Sequence, residues 1–441
     1  MYTTTVGRKF LIAYNRKFNK NYSAKCFFEE VFIPLFFDHP KYMMTAGNSP
    51  LENPKLSWED MIKGKKTFET QEQRKERIKK MIHKIETEKA DASIAIGYGV
   101  LDYSAGTSGQ ITNIELPDNK EDIYLSWVGA GLGIGVEDNI TILFDHEEIL
   151  LDVFEGWKYY RDYLEKTPLM KGNQINTWNG HWISNRYGYS FDKLDPIYGI
   201  NPLEKTKENL FNLPTISWIK VLLGISTKFM QNNLTGYLYN IGKSNMTIGF
   251  VPFIIQDIKK PNQFYENIFG KSLLLQDIKS IENLYGTAFG LKKACQQGSI
   301  GVQAMEPNGL RSFITTDKVT KKISYNENDE EQRVTFNTYL IWIIAMLNNE
   351  KLWDTSREIA LQLIKFKAGA EKSRANRKTA VENLLSSTTS KQFLVNLIPI
   401  IDEEKEVVNF EEMGKIVHLM PRDNFPYFNT LIRFQYAILN K

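Results

Sequence analysis

Apolar positions follow a helical period most clearly towards the carboxyl end of the chain. Thr335 to Leu347 is nearly all apolar, which predicts a helix buried on every side. We expect the following helix to begin at Thr355 or Ser356, because either side chain can cap a helix. Its apolar stripe spans about 60° of a helical wheel and consists of Ile359, Leu363, Phe366 and Ala370.

This stripe changes character after Phe366, because its next members would be Arg374 and Arg377. The apolar face therefore becomes cationic, and we expect this half of the helix to leave the core. Residues 365–378 carry six positive side chains against one negative, Glu371. The six are Lys365, Lys367, Lys372, Arg374, Arg377 and Lys378. Their mutual repulsion, a few tenths of a kcal/mol per pair, favours contact with a polyanion; a solvated face is the alternative.

Two further helices are predicted at Gln392–Ile401 and Phe410–Leu419, and an apolar segment from Phe425 to Leu439 closes the chain. The polar stretch from Thr315 to Arg333 is the expected domain boundary. The sequence thus predicts an α+β protein with an irregular mixed N-terminal body and a C-terminal helical bundle that carries a basic face. We place these domains at residues 1–325 and 326–441, and leave open a subdivision near residue 150.

The N-terminal body mixes segments with the 3.6-residue period of a helix and segments with the two-residue period of a strand. Residues 63–90 predict a charged helix with a narrow apolar stripe of Ile78, Met81, Ile82 and Ile85. An aromatic segment, residues 26–38, predicts a helix that ends at Pro34. Residues 92–150 switch to period two, and Ile140–Phe144 is a clear strand. The alternating glycines 129, 131, 133 and 135 suggest a strand with one bare face.

Beyond residue 200 the pattern predicts a helix near Trp218–Met230, a hairpin through Tyr237–Ile255, and a helical stretch to Lys293. The longest apolar run, Tyr339–Leu347, is about half of what a bilayer span requires. We therefore expect a soluble, cytoplasmic protein without membrane contact. With 441 residues and a net charge of +3, only local clusters of charge can argue for nucleic-acid binding.

Two other segments could contact nucleic acid. The proline-bounded loop at residues 39–54 could present Lys41, Tyr42 and Asn48 to a ligand, although a surface turn explains the same residues. Residues 173–189 combine aromatic rings with polar side chains that include Asn179 and Arg186. This composition suits stacking and hydrogen bonding to exposed bases, and it suits a well-packed irregular loop equally.

No complete catalytic motif accompanies these segments. Gly-Lys-Ser occurs at 242–244 and 270–272, but neither copy has the preceding glycine of a phosphate-binding loop. The five histidines are scattered, and Asp145–Glu148 is best explained as the exposed start of an element. Glu403–Lys405 has a nuclease-like spacing in a predicted helix connection, and two cysteines cannot form a zinc cluster. We expect a non-catalytic protein without cofactor or metal.

Taken together, these features resemble the large subunit of type I CRISPR (Cascade) complexes. The resemblance rests on Phe-Ile-Pro-Leu-Phe-Phe at 32–37, the α+β body without a catalytic signature, and the helical C-terminal region with Leu-Ile-Arg-Phe-Gln-Tyr-Ala at 431–437. A cysteine-pair zinc motif that some members carry is absent here.

The resemblance implies a subunit that contacts guide RNA, target DNA and other Cascade subunits, reads the short motif beside the target, and holds the displaced strand. A separate helicase-nuclease would be recruited to cut. An accessory subunit of another prokaryotic defence system, or an enzyme such as a nuclease with a composite site, remains the alternative.

Overall fold

The protein has an α+β fold whose described residues form two compact units, one within residues 1–255 and one within residues 256–440. The computed structural model describes residues 1–46, 49–52, 55–100, 119–188, 191–200, 203–229, 233–240, 246–269, 291, 301–316, 321–369, 374–403 and 408–440. Within these ranges, no helix combines the length and apolar character needed to cross a membrane.

In its described residues, the first unit is mainly helical and contains one larger and one smaller sheet. Its helices are α1 (Tyr2–Phe18), α2 (Ala24–Phe27), α3 (Ile33–Phe36), α4 (Lys55–Ile62), α5 (Gln71–Thr87), α6 (Lys120–Gly131), α7 (Glu147–Lys166), α8 (Ile175–Arg186) and α9 (Trp218–Lys228). Its strands are β1 (Ile134–Val136), β2 (Ile140–Phe144), β3 (Glu204–Lys205), β4 (Phe211–Asn212), β5 (Leu234–Asn240) and β6 (Met246–Phe253).

The larger sheet has the order β1-β2-β5-β6, and all of its pairs are antiparallel. Strand β2 coincides with the predicted Ile140–Phe144 and is buried along its whole length. The predicted hairpin is confirmed as β5 and β6, with a register shift after Leu238. The predicted helix near Trp218 is α9, and the stripe of residues 63–90 is the core-facing side of α5, where Met81 and Ile85 are fully buried.

The glycine alternation between residues 129 and 135 was misread as a single strand. Gly129 and Gly131 end helix α6, and only Gly135 lies within strand β1. A close backbone approach is nevertheless present at these glycines, because α6 crosses α1 at Gly129 and Gly7. A Cβ atom added to Gly129 would lie 2.7 Å from the carbonyl carbon of Thr3 and 3.0 Å from the backbone nitrogen of Gly7.

The sequence predicted a helix that ends at Pro34, but the helix continues past this residue. Helical backbone runs from Ala24 to Phe36, with a π-helical turn at Phe28–Phe32 between α2 and α3. Proline is tolerated near the start of a helical segment, where its missing N–H is not required, and the wider turn before it removes a steric conflict. The continuous helix carries Phe32 and Phe36 into a buried aromatic cluster with Trp157.

Among the described residues of the second unit, α10 (Ile255–Phe269) precedes six further helices. These are α11 (Glu330–Leu347), α12 (Lys351–Ala368), α13 (Arg374–Leu385), α14 (Ser390–Glu403), α15 (Val408–Leu419) and α16 (Phe425–Leu439). The all-round burial predicted for 335–347 is confirmed in α11. Helix α12 begins four residues before Thr355, because the Asn349 side chain accepts the N–H of Lys351 and already closes that end.

The units divide near residue 255, whereas the sequence placed the boundary at 325. Residues 301–316 belong with the C-terminal helices because their backbone carbonyls accept hydrogen bonds from side chains of that unit. Trp342 donates to Val302 at 2.9 Å and Arg433 donates to Phe313 at 2.6 Å. The described polar residues 321–329, most of which are exposed, therefore belong within the second unit.

Candidate nucleic-acid interface

The basic segment forms a corner between two helices rather than the end of one. Ile359, Leu363 and Phe366 are buried along α12, as expected, but this helix stops at Ala368, and α13 begins at Arg374. The cationic residues after the stripe consequently belong to a different helix, which corrects the expectation of one continuous face. Residues 370–373, which include Lys372, lie outside the described residues, and only the backbone of Arg374 is described.

Arg377 points back into the corner. Its guanidinium lies over the buried ring of Phe366, 4.7 Å from the ring centroid, and donates a 3.1 Å hydrogen bond to the Phe366 carbonyl. That carbonyl lies in the last turn of α12 and also accepts the backbone N–H of Gly369 at 3.2 Å. Gly369 makes room for this arrangement, because a Cβ atom there would lie 3.0 Å from the guanidinium carbon. We call Phe366, Gly369 and Arg377 the corner lock.

Lys367 also takes part in contacts within the protein. Its ammonium group donates to the Asn440 side chain at 2.8 Å and to the Tyr436 hydroxyl at 3.2 Å, so it fastens the end of α12 to the end of α16. The same ammonium lies 5.5 Å from the centroid of the Tyr436 ring. Like Arg377, this lysine has a structural role that its charge alone did not reveal.

Lys365 and Lys378 are the described cations of the segment that are exposed. Lys378 is 3.9 Å from Glu382 on the next turn of α13, and its side chain is 64% exposed. An exposed pair of this kind contributes only a few tenths of a kcal/mol. Lys378 therefore lies exposed in the first turns of α13, near a helix end where the dipole favours negative charge.

The loop at residues 39–54 holds Tyr42 and Lys41 inside the first unit instead of presenting them. Tyr42 is 3% exposed, and its hydroxyl donates to Glu69 at 3.3 Å. Lys41 donates to the carbonyls of Leu164 and Thr167 at 3.1 and 2.6 Å, and thereby closes the carboxyl end of α7. The third residue of that prediction, Asn48, lies outside the described residues.

Burial, reinforced by the nearby positive charge of Arg161, lowers the pKa of Lys41 to about 8. Arg161 is itself held by backbone oxygens: it donates to the carbonyl of Leu35 through Nε and Nη2, and to the carbonyl of Lys41 through Nη1. Burial also lowers the pKa of Arg161, to about 10. The hydrogen bonds of these two cations therefore connect the loop around Lys41 to helix α7.

The aromatic and amide-rich stretch at residues 173–189 contributes helix α8 to the core. Asn179 is fully buried and donates to the carbonyls of Gly131 and Gly133 at 2.8 and 2.9 Å, which satisfies the end of α6. Trp178 and Trp182 are fully buried, and their indoles donate to backbone carbonyls of α7. These groups pack within the protein and offer no free ring face for a base.

Arg186 lies at the end of α8 and is also engaged. It is 3.5 Å from a carboxylate oxygen of Glu155, and its guanidinium stacks on Phe191 at 4.6 Å from the ring centroid. The well-packed alternative therefore describes residues 173–188 better than base stacking does, although residues 175–186 form a helix rather than a loop.

A buried charged network in the first unit was not anticipated. Asp152 accepts hydrogen bonds from Tyr187 and Lys228, both at 2.8 Å, and Lys228 also contacts Glu148 at 2.6 Å. Burial lowers the pKa of Lys228, but the hydrogen bonds to Asp152 and Glu148 outweigh it and leave that pKa raised. Burial and Asp152 raise the pKa of Tyr187. Sequence separation hides the network, since Asp152 and Lys228 are 76 residues apart.

The segments considered for catalysis give no assembled centre among the described residues. Asp145–Glu148 is the start of α7, as predicted, and its carboxylates pair with cations such as Arg16 and Lys228. No described group of three or more histidine, cysteine or acidic side chains could hold a metal ion. Both Gly-Lys-Ser segments and residues 404 and 405 lie outside the described ranges.

No protein-family model, curated protein or solved structure matches this chain.

Proposed function

We propose that the chain is a nucleic-acid-binding protein whose contact with phosphates lies at the α12–α13 corner. The observation that carries this proposal is the exposure of Lys365 and Lys378 on either side of the corner lock, which joins the end of α12 to α13. Arg374 and Lys372 belong to the same basic segment. The contacts would be largely independent of base sequence, because ammonium and guanidinium groups would meet the phosphate backbone.

In its fuller form, the proposal is a non-catalytic large subunit of a cytoplasmic, RNA-guided antiviral complex of the type I CRISPR (Cascade) class. Support for this form comes from the resemblance of residues 32–37 and 431–437 and from the helical C-terminal region. Guide RNA, target DNA, other Cascade subunits and a helicase-nuclease would be its partners. Base pairing would read the sequence, and this chain would contact phosphates and the short adjacent motif.

The test is the salt dependence of DNA binding, measured by fluorescence anisotropy with labelled single- and double-stranded DNA at four salt concentrations. Each phosphate contact contributes about 0.7 to 0.9 to the slope of log K against log salt. A Lys365→Ala/Lys378→Ala variant should therefore lower the magnitude of the slope by about 1.4 to 1.8. Lys351→Ala/Arg357→Ala is the matched control, because it removes two exposed cations from α12 away from the corner.

Three results would count against the proposal. Binding that is too weak to measure in low salt would exclude a nucleic-acid contact by the chain itself. Equal slopes for the corner variant and the parent would make the corner a solvated surface. DNA cleavage that survives purification and is lost on one acidic substitution would favour the nuclease alternative instead.

A further inference from the structure

Helix α14 carries apolar residues on two opposite sides. Phe393, Leu397 and Ile400 face the core of the second unit and are at most 2% exposed. On the other side Val395 and Ile398 are 56% and 54% exposed. A surface helix ordinarily places polar residues opposite its buried stripe, so this outward apolar pair indicates a surface that another molecule covers.

The outward pair is bracketed by opposite charges. Lys391 lies one turn before Val395, and Asp402 lies one turn after Ile398; both are exposed. At 100° per residue these four positions fall within about 60° of the helix circumference. Neither Lys391 nor Asp402 forms an ion pair with another residue in the described part of the chain. We call Lys391, Val395, Ile398 and Asp402 the outer stripe.

The outer stripe is complementary to itself when it is reversed. Its positions are arranged symmetrically about the midpoint between Asn396 and Leu397. Two copies of α14 that meet antiparallel at this midpoint bring Val395 of each copy against Ile398 of the other. The same arrangement sets Lys391 of each copy opposite Asp402 of the other, so every contact occurs twice, as a two-fold interface requires.

We propose that the occupant of the outer stripe is a second copy of this chain, docked through α14 in an antiparallel, two-fold arrangement. Charge complementarity selects this occupant, because the positive end of one stripe meets the negative end of the other. A parallel arrangement would instead place like charges together. The stripe is about 16 Å long at 1.5 Å per residue, so the interface is small and the association is reversible. This proposal does not depend on the nucleic-acid contact.

The experiment is sedimentation velocity of the full-length protein over a hundredfold range of concentration. The parent should pass from monomer to dimer as the concentration rises. Lys391→Glu places Glu against Asp402 at both ends of the interface and should weaken dimerisation at least tenfold. Asp402→Lys should do the same by opposing two lysines. The combined Lys391→Glu/Asp402→Lys variant restores opposite charges and should dimerise within threefold of the parent.

Lys351→Glu is the control for the change in net charge, because it is exposed on α12, outside the stripe, and should dimerise like the parent. All the substituted side chains are exposed, and unchanged circular dichroism will show that the variants are folded. A monomer at every concentration would overturn the proposal and leave the stripe to a different protein. A dimer that is insensitive to both single reversals, or not restored in the combined variant, would overturn it too.

Discussion

The crossing of α1 and α6 at two glycines makes a quantitative prediction for Gly129→Ala. The new Cβ would lie 2.7 Å from the carbonyl carbon of Thr3, and closer still to its oxygen, whereas carbon atoms in contact lie about 3.5–4.0 Å apart. Both obstacles are backbone, so no side-chain rotation can relieve them. The helices must separate by roughly 1 Å, which loosens the buried interface between them.

Overpacking of this kind costs about 1–3 kcal/mol and occasionally more, while alanine regains up to about 1 kcal/mol of helix propensity. Because the conflict is with rigid backbone, we expect a net loss of about 3 kcal/mol in the free energy of unfolding. Urea unfolding followed by far-ultraviolet circular dichroism will measure it.

Two other glycine substitutions serve as controls. In the same helix, Gly131→Ala meets only ring atoms, at 3.2 Å, that can shift by a few tenths of an ångström, so it should cost less than Gly129→Ala. Gly414→Ala in α15 meets nothing within 4 Å and should stabilise the second unit by about 0.5–1 kcal/mol. If Gly129→Ala loses less than Gly131→Ala, the close crossing of α1 and α6 does not exist.

Two further predictions concern cations whose roles are structural. Arg377→Ala should lower the free energy of unfolding of the second unit by about 2 kcal/mol, through the lost stacking and hydrogen bond. Lys378→Ala, the exposed neighbour, should change it by less than about 0.5 kcal/mol, and equal effects would refute the corner lock. Burial lowers the pKa of Lys41 to about 8 from 10.5, so the unfolded chain binds more protons between those values and stability rises with pH there. From about pH 7.5 to pH 9.5 the parent should gain about 1–2 kcal/mol relative to Lys41→Met in urea titrations. A constant difference between the two proteins would contradict that.

Periodicity predicted the elements that have one buried face or that are wholly apolar. Strand β2 was found because it is rich in β-branched and aromatic residues and is bounded by Asn139 and Asp145. The apolar stripe of α5 was equally easy to recognise in the sequence, since only one side of that helix is buried. Helix α6, in contrast, is buried on nearly every side and carries glycines where α1 crosses it, so no 3.6-residue period remains. Its glycines therefore looked like the alternation of a strand.

The candidate site shows a different limit of sequence reasoning. A run of cations identifies a segment, but it does not say which charges point outwards. Arg377 folds back onto Phe366 because the end of α12 leaves carbonyl groups to satisfy and Gly369 leaves space beside them. Lys41 and Asn179 perform the same task at the ends of α7 and α6. Side chains that could bind a ligand are used here to close helices, and only the tertiary contacts distinguish the two uses.

The buried indoles have an optical consequence. Six of the eight tryptophans are almost completely shielded from water, and five of these, namely Trp127, Trp157, Trp178, Trp182 and Trp218, belong to the first unit. The second unit contributes one such ring, Trp342, together with the half-buried Trp353. Intrinsic emission of the native chain should accordingly be blue-shifted, and its red shift on denaturation should report chiefly on residues 1–255. Opening of the α12–α13 corner should therefore leave the wavelength of tryptophan emission almost unchanged.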